Sequence, residues 1–311
     1  MIKRYGLPYK GSKNKIAEWV VDKLPPADTF CDLFFGGGAI THRALLSGKY
    51  KNFIENDIDG RMIKLLLDCI DGKYTSENHS EWISREEFFK KKDSDIYTAL
   101  IWSFGNNGKD YLYSREIEPF KKAYHYAVFY GDYRLFEQQG INIPHSDKNV
   151  IYDRYTDTRR ALLRLMKSDK KGCEQLDHYT RLQANEHLQA LQNLQALQND
   201  YEDVSIPDGA LIYCDIPYAS TDCGKYKGFD HARFYSWARE QENIFISEYG
   251  MPSDFIEIAN IEKTVLSDRT GNGKKATEKI FTNKRTFEKM SDERKEIIRL
   301  DLAEQLTFDF S

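Results

Sequence analysis

Asp215-Ile216-Pro217-Tyr218 closes the apolar run Ala210-Leu211-Ile212-Tyr213-Cys214, so a carboxylate, a free backbone carbonyl and an aromatic face leave a strand together at its C-terminal edge. Those groups suit a planar exocyclic amine, offering acceptors for its two N–H bonds and a surface for its ring. On open α/β sheets, ligands bind in the crevice outside the carboxyl ends of the strands. Standing alone, such a tetrapeptide is more often a capping Asp, a strand-ending Pro and a packed Tyr, so its partners decide the reading. A first partner is Phe34-Phe35-Gly36-Gly37-Gly38, which follows a strand and opens a helix, where glycines let a backbone turn tightly beside a nucleotide-like ligand. The dinucleotide fingerprint needs a third glycine where Thr41 stands, which disfavours a dehydrogenase. Asp57, at the end of the next strand, is placed to accept from both hydroxyls of a ribose, with an Asx turn or helix cap as the alternative. Glycines and acid together favour an adenosine-type ligand, and one lacking phosphate explains why no Gly-Lys-Ser/Thr phosphate loop occurs.

Alternating strands and helices must position these groups. Lys13 to Leu24 has apolar residues at helical spacing before Pro25-Pro26; Thr29 to Phe34 reads as a buried strand, Ala39 to Leu46 as a helix, Lys51 to Asn56 as a strand and Met62 to Ile70 as a helix. That order implies parallel pairing. From about 72 to 190 the texture becomes charged, aromatic and mainly helical, as in an inserted domain. Strands resume at Leu194 to Tyr201, Leu211 to Cys214 and Asn243 to Tyr249, and the end, from about Asp254, is strand-like, then helical and basic. The expected fold is α/β, a doubly wound, mostly parallel Rossmann-like sheet built from residues 1–71 and 191–311, with residues 72–190 inserted. Leu188 to Gln198 repeats Leu every third residue, a row that drifts round a helix and suits packing on two faces before a strand.

The chain has 311 residues, 41% hydrophobic and 30% charged, as expected of a soluble globular protein of one or two domains. No apolar run approaches membrane-spanning length, and no signal-type stretch follows Met1-Ile2-Lys3-Arg4-Tyr5, which predicts the cytoplasm. The five cysteines are scattered, without C-x-x-C or matching His spacing, so reduced thiols and no metal are expected. Net charge is −4, yet Arg269 to Arg299 carries ten Lys/Arg against five acids.

Tyr9-Lys10-Gly11-Ser12-Lys13, Asp32-Leu33-Phe34-Phe35-Gly36-Gly37-Gly38, Asn56-Asp57-Ile58-Asp59, Asp200-Tyr201 and Asp215-Ile216-Pro217-Tyr218 occur in an order that resembles the Dam-like (D12 class) DNA adenine N6-methyltransferases, phage and prophage members most of all. The resemblance covers residues 1–70 and about 194–250; in the insert it rests on Phe104-Gly105-Asn106-Asn107-Gly108-Lys109-Asp110-Tyr111. It implies S-adenosylmethionine as methyl donor, with Tyr9 packing beside it, Lys13 on its carboxylate, Asp32 and the Gly36–Gly38 turn along its methionine side, Asp57 at the ribose, Asp200 and Tyr201 by its adenine, and Ile58 and Asp215 also among the residues that bind it. Phe34 faces the sulfonium or belongs to the core. Asp215 and the Ile216 carbonyl would accept the target amine's N–H bonds, which strengthen as positive charge develops on nitrogen. Tyr218 would stack on a base extruded from the duplex. Pro217 holds Ile216 extended, but Ile216 stands where the commonest form of the motif has proline, so some rigidity is expected to be lost.

The partner implied is double-stranded DNA, contacted by the insert and the basic tail: Arg115, Lys121, Lys122, Arg154, Arg159, Arg160 and Arg164, interleaved with Tyr111, Tyr113, Tyr124, Tyr126, Tyr152 and Tyr155. Gln305-Leu306-Thr307-Phe308-Asp309-Phe310 is similar to peptides that dock into a bacterial sliding clamp, with a terminal element tucked on the core as the alternative. A monomer or weak dimer is expected. Two rival functions stay open at this point: methyl transfer to cytosine N4, which an Asp-x-Pro-Tyr grip does not distinguish, and a homologue that binds without turnover.

Overall fold

Phe30-Cys31, Phe53-Ile54, Leu211-Ile212 and Ile244-Phe245-Ile246 are buried apolar pairs or runs too short for helices, and each becomes a strand covered on both faces. A computed structural model describes residues 5–74, 80–166, 174, 176, 194–218, 228–266 and 273–308. In chain order its elements begin with α1 (Ala17–Lys23), β1 (Thr29–Asp32), α2 (Ala39–Ser47), β2 (Asn52–Asn56) and α3 (Gly60–Ile70). Next come α4 (Arg85–Lys91), α5 (Ile96–Ile101), α6 (Glu118–Tyr130), α7 (Arg134–Gln138) and α8 (Ile151–Met166). The sheet is completed by β3 (Leu194–Leu197), β4 (Leu211–Asp215), α9 (His231–Glu240), β5 (Ile244–Glu248), β6 (Ile256–Leu266) and β7 (Gly273–Thr282), followed by α10 (Lys284–Lys289) and α11 (Asp292–Phe308).

Among the described residues the strands form one seven-stranded sheet in the order β3-β2-β1-β4-β5-β7-β6. β3 through β5 pair in parallel, whereas β7 runs antiparallel to β5 and to β6. The chain reverses direction in strand order between β1 and β4, so the crevice outside their carboxyl ends is the ligand position of a doubly wound sheet. Two expected strands are shorter than read: Leu33 and Phe34 leave β1 as a turn, and β3 ends at Leu197 because Asp200 caps a 3-10 turn, accepting from the Glu202 amide at 3.2 Å.

Contacts divide the chain into two compact units, one of residues 1–12, 37–39 and 64–190, the other of 13–36, 40–63 and 191–311. The second holds the whole sheet. The first is helical, with a core in which Ala123, Tyr124, Ala127 and Val128 of α6 pack with Tyr133, Phe136 and Leu162. In the same unit the N-terminal segment braces the glycine turn: the Leu7 amide donates to the Gly37 carbonyl at 2.7 Å. A Cβ on Gly37 would lie 2.7 Å from Tyr9 Cβ, so glycine is required there by packing.

Several expected DNA contacts prove structural. Tyr111, Tyr113 and Tyr124 are buried. Lys121 is buried too and pairs with Glu174 at 2.8 Å. Arg154 donates to the carbonyls of Val128, Phe129, Lys148 and Asn149, tying α8 to the end of α6. These groups serve the core because a mainly helical unit rich in aromatics buries its rings, and the polar ends of those rings and their cations must then find partners inside. Arg115, Tyr152, Arg159, Arg160 and Arg164 stay exposed. The basic tail is likewise engaged: Arg285 donates to the Glu240 carbonyl, Arg294 to that of Lys23, and Lys289 pairs with Glu242. The side chains of Gln305 to Phe310 and the segment 188–193 lie outside the described residues. Among the described residues no helix is long and apolar enough to cross a membrane.

Candidate active site

The ends of the first three strands are stapled by one side chain. Asn56 donates to the carbonyls of Leu33 and Asn199, and its own Oδ1 accepts from the Asn199 amide at 2.9 Å. Asp57 follows: its Oδ1 accepts from the Asp59 amide and its Oδ2 from the Gly36 amide, both at 2.8 Å. The Asx turn and the acid-to-glycine-loop arrangement are therefore both present, and Asp57 ties the loop after β1 to the end of β2. Beside this buried carboxylate, Ile58 is 59% exposed, a large apolar side chain with one face open.

Asp32 and Glu55 stand side by side in the β1–β2 register and are both buried. Thr41 of α2 donates to Asp32 Oδ2 at 2.8 Å, while Asp32 Oδ1 and both Glu55 oxygens have no hydrogen-bond partner among the described residues. Burial foremost, then the charges of Asp215 and Asp57, push the Asp32 carboxyl up to about 7, against the pull of the Thr41 and Phe34 hydrogen bonds. Burial, with Asp32 as neighbour, raises Glu55 well above the carboxylate range. A raised carboxyl is most stabilising while protonated in both states, so its contribution falls as pH climbs from about 4 to about 7 and is flat above. Asp32→Asn keeps the Thr41 bond without the charge. It is expected to stabilise the fold by about 4 kcal/mol at pH 8 and by less than half as much at pH 5, read as melting temperatures at the two pH values. A variant difference independent of pH would contradict this.

At the end of β4, Asp215 meets Lys13. The ammonium, on a residue only 7% exposed, lies 2.9 Å from Asp215 Oδ1 and 3.1 Å from Glu278 Oε1, and donates to the Tyr218 hydroxyl. In the sequence reading this ammonium awaits a donor's carboxylate; here it already holds two carboxylates of its own chain. Burial works against the Lys13 charge, but Asp215 and Glu278 outweigh it and hold the group above its ordinary value. The Tyr218 hydroxyl donates in turn to Glu278, and its ring meets Tyr249 edge-on at 4.6 Å. Burial, with Asp215 and Glu278 adding to it, raises Tyr218 and keeps the phenol protonated.

Ile216 is 2% exposed and sits in one apolar cluster with Ile212, Cys214, Phe234, Ile246 and Phe255. This buried anchor restrains the residue that carries the candidate acceptor carbonyl. Pro217's carbonyl is held by His231 Nε2 at 2.8 Å, from the first residue of α9. Tyr201 is buried against Phe34, Phe229, Phe234 and Trp237, with the Arg233 guanidinium over its ring at 5.5 Å. Arg233 also pairs with Asp200 at 3.2 Å. Phe34 belongs to this aromatic group and is half-buried. Tyr9 and Gly38 belong to the helical unit. All the other predicted site residues share the sheet unit, and the structure brings Lys13, Asp215 and Tyr218 into direct contact.

Glu278, Glu55, Tyr249 and His231 were not foreseen. Glu278 had a readable sign: it alternates with Ile280 and Thr282 on the buried face of β7, an acid where the strand pattern calls for an apolar residue. Among the described residues no three His, Cys, Asp or Glu side chains are grouped to hold a metal ion.

A comparison with curated proteins finds no match. Residues 9–256 do match a protein-family model, that of the D12 class N6 adenine-specific DNA methyltransferases. That span runs from Tyr9 through the glycine turn, the helical unit and the Lys13–Asp215–Tyr218 contact to the first residue of β6, and on it the chain belongs to the D12 class N6 adenine-specific DNA methyltransferase family, a family of enzymes.

Proposed function

We propose that this enzyme moves the methyl group of S-adenosylmethionine to the N6 amine of an adenine swung out of double-stranded DNA, with Asp215 and the Ile216 carbonyl as acceptors and Tyr218 as the stacking face. The observation that carries this reading is the Lys13–Asp215–Tyr218 contact at the end of β4, beside an acidic strand edge. The residues present fit the donor. Asp57 is a buried carboxylate at the end of β2 that suits the hydroxyls of a ribose, exposed Ile58 offers a platform for an adenine ring, and Asp32 Oδ1, which has no hydrogen-bond partner among the described residues, suits an ammonium. When bound, the donor supplies a methyl carbon on a sulfonium, which takes the amine's lone pair as the carbon–sulfur bond breaks onto sulfur. Asp215 then faces an amine whose positive charge grows towards the transition state, so its attraction is larger there than in the ground state. The proton released from nitrogen is accepted by Asp215 or water.

The helical unit is proposed to recognise the target DNA. Arg160 and Arg164 line a cavity of about 580 Å³ between α8 and residues 142–147, with His145 and Asp157 on its wall. Replacing both arginines by alanine is expected to weaken DNA binding uniformly across sequences and to lower the slope of log affinity against log salt by about 2. An unchanged slope would remove them from the interface. The function itself is tested by tritiated methyl transfer from S-adenosylmethionine to unmethylated DNA, with boiled protein as blank; incorporation no greater than the blank would refute it.

A further inference from the structure

Glu278 lies 60 residues beyond Tyr218, inside the basic stretch Arg269 to Arg299, yet it is fully buried and bonded to two members of the candidate site. Its place follows from topology. β7 runs antiparallel beside β5, and its buried face carries Glu278, Ile280 and Thr282. Ion clusters buried this deeply cost desolvation, and a well-packed apolar set is often as stable, so burial of Glu278 is weak evidence for a purely structural role.

What Glu278 touches defines what it can do. Lys13 bonds Asp215, Glu278 and Tyr218, and Tyr218 bonds Glu278, so the four side chains close a ring of contacts across three separate parts of the chain. Without Glu278, Lys13 keeps one carboxylate of that ring, Asp215, and the Tyr218 hydroxyl loses the bond it donates to Glu278.

We infer that Glu278 is a positioning residue of this site: it holds Lys13 and Tyr218 so that Asp215 and the Tyr218 ring keep the geometry needed to grip the target amine. This rests on the proposed methyl transfer. It adds a residue that lies outside the matched span, since that match ends at residue 256.

The test uses the full chain with Glu278→Gln, which is isosteric but uncharged, and Glu278→Asp, which keeps the charge. Tritiated methyl transfer to unmethylated DNA is measured over a range of donor and DNA concentrations up to saturation, across pH. Glu278→Gln is expected to lose about 10- to 100-fold in kcat, with KM for donor and DNA changed by less than about threefold. Its alkaline limb moves to lower pH, because Lys13 has lost one of its carboxylates. Glu278→Asp recovers most of the rate. A parallel measurement needs no turnover: acylation of Lys13 by an amine-reactive reagent, followed by peptide mass mapping, is expected to be at least about 10-fold faster in Glu278→Gln than in wild type. Equal kcat and an unmoved pH profile in Glu278→Gln would overturn the inference, as would equal Lys13 acylation. Faster acylation in a protein whose wild type transfers no methyl group would leave the clamp standing and refute the proposed function instead.

Discussion

Asp215→Ala is expected to reduce kcat for methyl transfer to DNA by about 10²- to 10³-fold, the usual cost of deleting one acceptor or donor aimed at developing charge. The effect falls on kcat because the bond to the amine strengthens as nitrogen becomes cationic. Two features argue that the loss is chemical. Asp215 is at the open end of β4, with its side chain 25% exposed, so its removal leaves no cavity in the core. The backbone around it is held independently, by Ile216 in the apolar cluster and by His231 on the Pro217 carbonyl. Donor binding, followed by calorimetry with S-adenosylhomocysteine, is expected to change by less than about fivefold; a variant that loses donor binding and turnover in parallel would show that Asp215 serves the donor and not the amine.

Lys13→Met is the largest stability effect anticipated. The Lys13 side chain is 5% exposed between Asp215 and Glu278, and the Glu278 side chain is fully buried. Removing the ammonium takes from a buried carboxylate the cation it pairs with, and breaking a buried pair in this way costs about 3–5 kcal/mol, or roughly 6–15 °C in melting temperature for a chain of this size. Because the folded-state value of Lys13 is raised, its contribution is fully present below the ordinary lysine value of 10.5 and is lost as pH rises through the folded-state value. The deficit of Lys13→Met against wild type therefore stays constant from pH 6 to 9 as far as this group is concerned. Lys13→Met/Glu278→Gln, with the buried charge neutralised as well, is expected to be more stable than Lys13→Met alone. A double variant as unstable as the sum of the two singles would mean that Lys13 and Glu278 do not act as a charge pair.

Short apolar runs ending in Asp57 and Asp215 made β2 and β4 legible, because a buried strand has few other ways to be written and its polar ends mark where the sheet stops. The glycine turn was legible for a related reason: Gly36 and Gly38 take φ of 52° and 64°, which other residues seldom adopt. What local pattern does not carry is which polar groups meet across the fold. Lys13 and Tyr218 are 205 residues apart and Tyr218 and Glu278 are 60 apart, so no window along the chain contains their contact. Surface and core aromatics were also not separable. Tyr152 at 66% exposure and Tyr124 at 1% sit in similar charged, helical sequence, and only the packing of α6 with α8 tells them apart.

The most direct test of the account is nucleoside mass spectrometry of DNA from cells expressing the wild-type chain or Asp215→Ala, in a host without other DNA methyltransferases. N6-methyladenine is expected with the wild type and is expected to be near background with the variant. N4-methylcytosine in its place, or equal N6-methyladenine from both proteins, would contradict the reaction and the site derived for it.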